Sequence, residues 1–525
     1  MQELGRMIKK LCSKLFSRIV ITGVLILIQA AWFWSLFTSL SSYAHWLNPL
    51  MIVLSVIMCA VLIRQDSTAP EFKISWMVLF MIMPVQGGLL YLLWGDKRPA
   101  FRLRKKLDWA YDRIRPLRRT DPAAQAMLER ANPRAGRTAA YLRDFAAYPV
   151  YSGTNVKFYA SGEAAFPDLL EALESAQKSI LLEFFIISKG KMWDAVHDVL
   201  RRKAAQGVDV RLIYDDFGSL LGLPSDFVIR MEKAHIRCIP FNPVVPLVSL
   251  VMNHRDHRKI VVIDGTVAYT GGVNLADEYI NARVRFGYWK DAAIRLTGEC
   301  VWSFTSMFLE LWDYILKIES DYTFYRATSM EKHRLQEKIH ADEKGFVQPY
   351  TDSPLDHEDV GENVYLNIIS RAKKYLYIFT PYLIIGSEMR TALVNAAKSG
   401  VDVRLVVPGI PDKKLVYFLT QSNFPYLIKN GVKIYTYTPG FIHAKCFVSD
   451  DVQATVGTVN MDYRSLCLHF ECGVWMYRTR AVLQVKEDAL KTFAESHEVT
   501  LEEFQRKSFL VRTFMGALKL FAPLL

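Results

Sequence analysis

Two stretches of this sequence share the spacing His-x-Lys-x4-Asp, namely His257-Arg258-Lys259-Ile260-Val261-Val262-Ile263-Asp264 and His443-Ala444-Lys445-Cys446-Phe447-Val448-Ser449-Asp450. In each stretch an apolar run follows the lysine, and such a run is typical of a buried β-strand. Side chains two residues apart on a strand point to the same face, so the histidine and the lysine of each copy should project together. The spacing therefore predicts two equivalent strands, each presenting an imidazole beside an ammonium group.

The two motifs lie in a longer internal repeat. Residues 207–212 read Gly-Val-Asp-Val-Arg-Leu, and residues 400–405 read the same. A Gly-x-x-Asn sequence, at residues 271–274 and 457–460, follows the two histidines at the same distance. Helical patterns alternate with strand-like ones in both copies, which predicts an α/β fold made of two duplicated α/β/α halves, each with a mostly parallel sheet. Two equivalent halves imply a pseudo-twofold axis, where both motifs meet in one shared active site.

A pair of imidazoles flanked by two ammonium groups suits chemistry at a phosphodiester. One histidine can attack phosphorus while the other protonates the leaving alkoxide, and the lysines can hold the non-bridging oxygens. Fixed cations could replace a metal ion here, so we expect no metal and no cofactor. The candidate catalytic residues are those of the two motifs: His257, Lys259, Asp264, His443, Lys445 and Asp450. The two aspartates look structural, because they would close the turn after their strands.

These residues resemble the phospholipase D superfamily over residues 145 to 510. Beyond the two motifs, the matching features are Asn253, Gly271-Gly272-Val273-Asn274-Leu275-Ala276-Asp277-Glu278-Tyr279, Thr380-Pro381-Tyr382, Asn460-Met461-Asp462-Tyr463-Arg464-Ser465 and Phe470-Glu471. The apolar segment from Trp76 through Pro84 to Gly95 is similar to that of bacterial cardiolipin synthases. The resemblance implies a phosphatidyltransferase that converts two phosphatidylglycerol molecules into cardiolipin and glycerol through a phosphatidyl-histidine intermediate, without a metal.

The resemblance also implies roles for individual side chains. His257 is expected to be the nucleophile and His443 the acid and then the base, and the near-symmetry of the halves leaves the reverse assignment open. Asp291 and Glu471 should each orient the histidine of the opposite half through a hydrogen bond. The alternative for these two is a plain strand or surface carboxylate. Four side chains are expected to bind the phosphoryl oxygens: Lys259, Lys445, Asn274 and Asn460.

The N-terminal region contains three apolar stretches: Ile19–Leu40, Trp46–Ile63 and Ile74–Trp94. The first has the length of a membrane-spanning helix, whereas Pro84 and glycines interrupt the third. Basic residues precede the first stretch, and a dense basic run follows the third, so both flanks should be cytoplasmic. An even number of crossings satisfies this, although three crossings stay open. We therefore expect N-terminal transmembrane helices in a multi-pass protein of the cell membrane, with its catalytic domain in the cytoplasm.

The same patterns predict the domain organisation. Residues 1–95 should form the membrane anchor, 96–145 a basic linker, 146–345 the first half and 346–525 the second half. The second half should end in a basic amphipathic segment, which could lie on the bilayer or pack as an ordinary helix. An apolar loop at Pro243–Met252 could be an acyl-chain path or lid, or a buried connection.

Composition limits the class of function. The chain of 525 residues has a formal charge of +12 and is 51% hydrophobic and 22% charged, which is too charged for a polytopic transporter and too apolar for disorder. Its seven cysteines lack zinc-site spacing and suit a reducing compartment.

The positive charge favours anionic partners, and the membrane segment favours lipid over nucleic acid. We expect phosphatidylglycerol and other anionic phospholipids, and the membrane, as partners, with no nucleic acid. A phosphodiester nuclease and a non-catalytic binding protein are the competing classes. Among lipid enzymes, hydrolysis by a phospholipase D or transfer to another alcohol stays open.

Overall fold

In the computed structural model, the chain is described over residues 44–65, 70–83, 87–88, 90–91, 107–118, 122–244, 254–327, 345–356 and 358–524, with a few positions between 27 and 39. The chain divides into two units. The smaller comprises Met1–Arg102, Asn242–His254 and Pro523–Leu525, and the larger comprises Leu103–Phe241 and Arg255–Ala522. Most of the expected spanning segment Ile19–Leu40 and of the apolar loop Pro243–Met252 lies outside the described residues.

The described part of the smaller unit contains two helices. Helix α1 is Ala44–Ile63, and helix α2 is Pro70–Ile82. The second helix has 13 residues and ends two positions before Pro84. In the part of the chain that the structure describes, none of the helices is both long and apolar enough to cross a membrane. The transmembrane helices expected from the sequence are thus not found among these residues.

A small aromatic cluster holds this unit together. The rings of Trp76 and Phe80 on α2 each meet the ring of Tyr91 edge to face, at 5.2 Å and 5.5 Å between centroids. Leu62 of α1 is buried against the same cluster. The hydroxyl of Tyr91 accepts a hydrogen bond of 2.9 Å from Gln65 Nε2, so its polar end is satisfied.

Two further helices lie in the segment that the sequence assigned to a basic linker: α3 (Pro122–Ala131) and α4 (Pro133–Asp144). Asn132 caps α4, because its side chain accepts hydrogen bonds from two backbone N–H groups of the first turn. Leu128 and Leu142 are buried in the hydrophobic core of the second half. The bounds of the linker remain a prediction, but these helices belong to the folded body of the larger unit.

The first half contains a seven-stranded sheet. Its strands and those beside it are β1 (Tyr151–Ser152), β2 (Asn155–Tyr159), β3 (Ser179–Phe184), β4 (Asp209–Asp215), β5 (Arg237–Phe241), β6 (Arg255–Asp256), β7 (Lys259–Ile263), β8 (Val267–Gly271), β9 (Tyr288–Lys290) and β10 (Ala293–Thr297). Its helices are α5 (Gly162–Glu174), α6 (Lys191–Ala205), α7 (Phe227–Lys233), α8 (Val301–Leu316) and α9 (Tyr322–Tyr325). The strand order in the sheet is β2-β10-β8-β7-β3-β4-β5.

The second half contains the larger sheet. Its strands are β11 (Phe346–Asp352), β12 (Tyr375–Phe379), β13 (Leu383–Ile384), β14 (Asp402–Pro408), β15 (Lys433–Tyr437), β16 (Gly440–Ile442), β17 (Cys446–Ser449), β18 (Gln453–Gly457), β19 (Met461–Asp462), β20 (His469–Tyr477) and β21 (Ser496–Glu498). Its helices are α10 (Val360–Arg371), α11 (Ser387–Lys398), α12 (Lys414–Ser422), α13 (Phe424–Lys429), α14 (Tyr463–Cys467), α15 (Arg480–Ala494), α16 (Leu501–Gln505) and α17 (Phe509–Lys519). The strand order is β1-β11-β20-β18-β17-β12-β14-β15-β21, with β6 also pairing with β20.

The two sheets repeat one plan. The neighbours β10-β8-β7-β3-β4-β5 of the first sheet correspond in order to β20-β18-β17-β12-β14-β15 of the second. The motif strands β7 and β17 occupy the same place in this order, and every residue of both strands is buried. The duplication inferred from the sequence is thus visible as a repeated strand order.

The expectation of a mostly parallel sheet is wrong. Strands β3, β4 and β5 are parallel, but β7 is antiparallel to β3, and β8 is antiparallel to β7. The β7–β8 reversal comes from the tight turn after the motif strand, where Asp264 and Gly265 in one half, and Asp450 and Asp451 in the other, have positive φ. The turn reverses the chain within three residues in each half, so the next strand must pair antiparallel with the motif strand. The dipeptide Asp264-Gly265 is a hairpin signal in the sequence that could have indicated this.

Two short parallel strand pairs join the halves and position the motifs. Strand β6 pairs with the start of β20, and β16 pairs with β9. Backbone hydrogen bonding between the paired strands extends to the motif histidines. The N–H of His257 donates to the carbonyl of Phe470 at 2.9 Å, and the N–H of His443 donates to the carbonyl of Lys290 at 2.7 Å. Each motif histidine is therefore attached to a strand of the opposite half.

Candidate active site

Each motif histidine lies beside a carboxylate of the opposite half. His257 Nδ1 is 2.9 Å from Glu471 Oε1, and His443 Nδ1 is 2.8 Å from Asp291 Oδ2. The strand pairs β6–β20 and β16–β9 produce this arrangement, because each brings a histidine alongside the strand segment that carries the carboxylate. A carboxylate at Nδ1 favours the tautomer with its proton on Nδ1, which leaves a lone pair on Nε2. The structure thus brings together all four residues in two crossed pairs.

Burial favours the neutral form of both imidazoles. Burial lowers the pKa of His257 well below its usual value, and the charges of Lys259 and Lys445 lower it further. Burial, followed by the charge of Lys445, lowers the pKa of His443 to about 4, although Asp291 opposes this. Since the lysines of both motifs act on both histidines, the two motifs share one site.

The motif lysines are buried next to their histidines. Nζ of Lys259 donates to the carbonyl of His257 at 2.5 Å, and Nζ of Lys445 donates to the carbonyl of His443. Burial lowers the pKa of Lys259 to about 8 and that of Lys445 to about 7. A desolvated ammonium of this kind gains strongly from a nearby anion, so the pair suits a bound phosphoryl group.

The two carboxylates differ in their surroundings. Burial raises the pKa of Glu471 well above its usual range, and the Thr458 hydroxyl donates a hydrogen bond to its Oε2. Burial also opposes ionisation of Asp291, but the interaction with His443 outweighs it and lowers the pKa of Asp291. In the first half, Gly272 stands where the second half has Thr458. An added Cβ at Gly272 would lie 1.9 Å from Asp291 Oδ1, so only glycine leaves room for this carboxylate.

The two asparagines of the Gly-x-x-Asn sequences have different contacts. Asn274 is engaged at both ends of its amide, because Oδ1 accepts from the N–H of Ile186 at 3.0 Å and Nδ2 donates to the Tyr279 hydroxyl at 2.8 Å. Asn460 is buried, and its Oδ1 has no hydrogen-bond partner among the described residues. The amide of Asn460 is therefore the better placed of the two to meet a substrate.

The motif aspartates lie away from the histidines. Asp264 accepts hydrogen bonds of 2.8 to 2.9 Å from the N–H groups of residues 177–179, and Asp450 accepts bonds of 2.8 to 3.1 Å from those of residues 373–375. Five residues of strand separate Asp264 from Lys259, a distance of about 16 Å. Each aspartate therefore fastens the start of a neighbouring strand to the turn, and a catalytic role for either stays a prediction.

The surroundings of the two histidines are not symmetric, and sequence reasoning missed them. The rings around His443 have centroids at 5.5, 5.4 and 5.9 Å and belong to Tyr279, Trp289 and Phe441. Near His257 the neighbouring rings are those of Phe185 at 5.0 Å and His469 at 6.0 Å. Trp289 and His469 each stand two residues before the carboxylate of their strand. Because such residues share a face, this position is the signal that could have identified them.

Among the described residues, one group has the composition of a metal site. Ligand atoms of Asp359, Glu362 and Cys467 lie within 4.8 Å of one another. Acidic groups at a surface often lie together in the absence of an ion, and this group is separate from the histidine pairs. We assign it no role.

Two family models match this chain, one over the two halves and one near the N-terminus. Residues 169–285 and 365–492 match the family model described as cardiolipin synthase, PLD-like domain. Residues 53–95 match the model described as phospholipase D-nuclease N-terminal. The first model thus covers both motifs, and the second covers the second half of α1, all of α2 and the aromatic cluster.

Several curated proteins are similar over most of the chain. A cardiolipin synthase of Geobacillus kaustophilus is 34% identical over 476 residues, which are 90% of this chain and 92% of that protein. A cardiolipin synthase of Halalkalibacterium halodurans is 30% identical over 480 residues, with 90% and 93% covered. An uncharacterized protein of Streptococcus mutans is 43% identical over 453 residues, with 86% and 96% covered.

A solved structure supports the fold. The phosphatidylserine synthase of Haemophilus influenzae superposes with a TM-score of 0.56 at 16% sequence identity, covering 75% of this chain and 100% of that one. At this identity the likeness shows the fold alone. The twofold arrangement of α/β halves is therefore shared with a solved protein.

Proposed function

This chain belongs to the cardiolipin synthase family of phospholipase D-like proteins, and we propose that it is a phosphatidyltransferase that converts two phosphatidylglycerol molecules into cardiolipin and glycerol. The observation that carries the proposal is the pair of crossed histidine–carboxylate contacts, at 2.9 Å and 2.8 Å, within one buried site. Two-step transfer at phosphorus needs one nucleophile and one acid/base group, and these pairs supply both.

In the first step, Nε2 of His257 attacks the phosphorus of the donor phosphatidylglycerol. The bond between phosphorus and the glycerol headgroup oxygen breaks, and His443, which enters this step as the imidazolium, gives its Nε2 proton to that oxygen, so glycerol leaves. His257 suits the nucleophilic role because burial keeps it neutral. His443 suits the acid role because Asp291, whose pKa is lowered, can stabilise the imidazolium form.

In the second step, the free hydroxyl of a second phosphatidylglycerol enters where glycerol left. His443 takes the proton of this hydroxyl, its oxygen attacks phosphorus, and the bond between phosphorus and His257 breaks. Cardiolipin is released, and both histidines return to their starting states. Water in place of the hydroxyl would give phosphatidic acid, so the balance between transfer and hydrolysis depends on how well the site excludes water.

The remaining site residues act on the charge of the phosphoryl group. The ammonium groups of Lys259 and Lys445 stabilise its non-bridging oxygens, and Nδ2 of Asn460 donates a hydrogen bond to the same oxygens. Asn274 has its amide engaged with Ile186 and Tyr279, so it acts by holding the wall of the site. Glu471 and Asp291 orient the histidines.

The direct test is mass spectrometry of the lipids formed when the purified full-length protein receives phosphatidylglycerol alone. We expect cardiolipin and glycerol in equal amounts. Phosphatidic acid without cardiolipin would make the protein a hydrolase. Cleavage of labelled DNA in a parallel reaction, without lipid turnover, would make it a nuclease.

We also propose that the protein works at the cell membrane with its catalytic domain in the cytoplasm. The support comes from the apolar N-terminal sequence, from the basic residues that flank it, and from α17, where Phe509, Leu510 and Phe514 are exposed on a helix with basic residues. Labelling of single cysteines from each side of sealed vesicles tests this placement. Labelling beyond residue 120 from the external side would contradict it.

A further inference from the structure

The first half contains a loop that the second half lacks. His257 and Asp291 are 34 positions apart, whereas the equivalent His443 and Glu471 are 28 positions apart. The extra six residues are 282–287, which we call the insertion loop. Asn281 closes the base of this loop, because its Oδ1 accepts from the N–H of Trp289 at 2.8 Å and its Nδ2 donates to the Trp289 carbonyl at 3.0 Å. The loop is thus a defined projection from the fold.

The insertion loop lies against a loop of the second half. Gly287 and Gly440 form a β-bridge, and a Cβ on Gly287 would lie 3.1 Å from Ile410 Cδ1. The N–H groups of Gly409 and Ile410 both donate to the carbonyl of Gly440 at 3.1 Å. The insertion loop and the loop 409–415 therefore meet at Gly287, Ile410 and Gly440, and we call these two loops the rim.

The exposed side chains of the rim are of two kinds. Three are apolar, with Val284 78% exposed, Ile410 42% and Leu415 44%. Four are cationic and exposed: Arg283, Arg285, Lys413 and Lys414.

Acidic groups near the rim offset part of this charge. Glu278 pairs with Arg285 at 2.9 Å, and Asp412 accepts from the Tyr382 hydroxyl at 2.7 Å. The rim keeps a net positive charge around its apolar side chains. Apolar side chains surrounded by cations match the headgroup layer of an anionic bilayer, in which the chains enter and the cations meet phosphates.

The rim stands beside His443. Trp289 follows the insertion loop, Phe441 follows Gly440, and both pack on the His443 ring, at 5.4 Å and 5.9 Å between centroids. In the proposed function, glycerol leaves and the second lipid enters on the side of the active site where His443 lies. The rim therefore borders the entry for the lipid acceptor.

We propose that the rim docks on an anionic bilayer surface, so that a phosphatidylglycerol headgroup reaches His443 without its lipid leaving the membrane. This inference rests on the proposed function, because it takes phosphatidylglycerol as the acceptor. The docking itself can be measured without lipid turnover. The occupant is the bilayer, and a protein partner or a second copy of this chain is the competing outcome.

An environment-sensitive fluorophore at position 284 tests the docking. The full-length protein carries Val284→Cys, with Cys12, Cys59 and Cys467 replaced by serine, and is reconstituted in vesicles of phosphatidylglycerol and phosphatidylcholine. We expect a blue-shifted emission that spin-labelled lipids quench. A matched label at Ile229, which is 54% exposed on α7, should show neither effect. Emission at position 284 like that in water, or a blue shift that lipid does not quench, would overturn the proposal.

A charge variant tests the consequence for catalysis. Combined substitution of Arg283, Lys413 and Lys414 by glutamine should raise KM for phosphatidylglycerol in vesicles, by about fivefold for each charge removed, relative to KM for a monodisperse short-chain phosphatidylglycerol. A control with Arg201, Lys233 and Lys429 changed to glutamine has the same net charge and should keep the original ratio. An unchanged ratio in the rim variant would contradict the docking. Absence of cardiolipin from the unsubstituted protein would instead refute the proposed function and leave the fluorescence result valid.

Discussion

At the scale of single residues, the site contains two histidines whose Nδ1 atoms each lie within hydrogen-bond distance of a carboxylate. The surroundings of the two histidines differ. His443 faces a carboxylate whose pKa is lowered, whereas His257 faces Glu471, whose pKa burial raises. A more readily ionised partner stabilises a protonated imidazole better. This difference supports His443 as the group that carries a proton during the reaction and His257 as the nucleophile.

The covalent intermediate distinguishes the two histidines. His257→Ala should abolish cardiolipin formation and lipid attachment, because no imidazole remains to attack phosphorus. His443→Ala should retain slow attachment and accumulate the adduct, because the base for the second step is missing. Intact-protein mass spectrometry after mixing with phosphatidylglycerol measures both. An adduct that persists in His257→Ala would reverse the assignment.

We expect the motif lysines to set the alkaline limit of activity. Burial gives Lys445 a pKa of about 7 and Lys259 a pKa of about 8, so each is charged below its pKa and loses that charge as the pH rises. We expect kcat/KM to fall as the pH rises through this range. Lys445→Arg keeps its charge at all these pH values and should leave only the fall near pH 8. A pH–rate profile whose alkaline side is the same in both proteins would contradict this interpretation.

At the scale of elements, the short strand pairs between the halves decide whether the site exists. Strand β16 approaches β9 so closely that a Cβ at Gly440 would lie 2.4 Å from the carbonyl oxygen of Tyr288. Any side chain at position 440 must therefore push β16 away from β9, and His443 away from Asp291 with it.

Gly440→Ala should lower kcat/KM at least a hundredfold while the protein stays folded, because displacement of a catalytic group by about 1 Å has an effect of this size. Gly516→Ala on α17 is the matched control, since a Cβ there meets no atom within 4 Å. Lipid turnover and circular dichroism measure the two properties. Full activity of Gly440→Ala would show that the strand pair does not position His443.

The turn after each motif strand acts on stability. Asp264→Asn keeps the tolerance for positive φ but removes the charge and one of two acceptor oxygens that serve three N–H groups. The free energy of unfolding should fall by roughly 1–3 kcal/mol, with little change in kcat of the folded enzyme. Thermal denaturation checks this against Asp226→Asn, a surface change expected to leave the unfolding temperature almost unchanged. A large loss of kcat at unchanged stability would show that Asp264 acts in catalysis.

At the scale of the whole molecule, each chain contains one complete site made by both of its halves. Helix α8, buried along residues 301–313, contacts β7 of the first half and β11 of the second, so a buried helix joins the halves as well as the site. Neither half alone brings a histidine to its carboxylate. A site of this kind should act within one chain.

A mixture of two inactive variants tests this. Purified His257→Ala and His443→Ala proteins should remain inactive when mixed, because each chain lacks one member of its own site. Cardiolipin formation by the mixture would show that sites form between chains. The measurement needs only the lipid assay and a titration of one variant against the other.

The sequence by itself determined the duplication, the motif residues and the family, because these depend on residue identity, spacing and local periodicity. The repeated strand order of the two sheets follows the repeat of residues 207–212 and 400–405. The antiparallel pairing of β8 with β7, and of β18 with β17, did not follow from this repeat. It depends on the turns at Asp264-Gly265 and Asp450-Asp451, where two residues with positive φ reverse the chain.

Only the tertiary structure decided the distances between the histidines and their carboxylates, and which asparagine amide is already engaged. These contacts join residues 152 to 214 positions apart, and nothing in local pattern sets a distance across such a separation. They arise because β6 and β16 each pair with a strand of the opposite half. The rim also depends on the tertiary structure, because the insertion loop and residues 409–415 come together only when β16 pairs with β9.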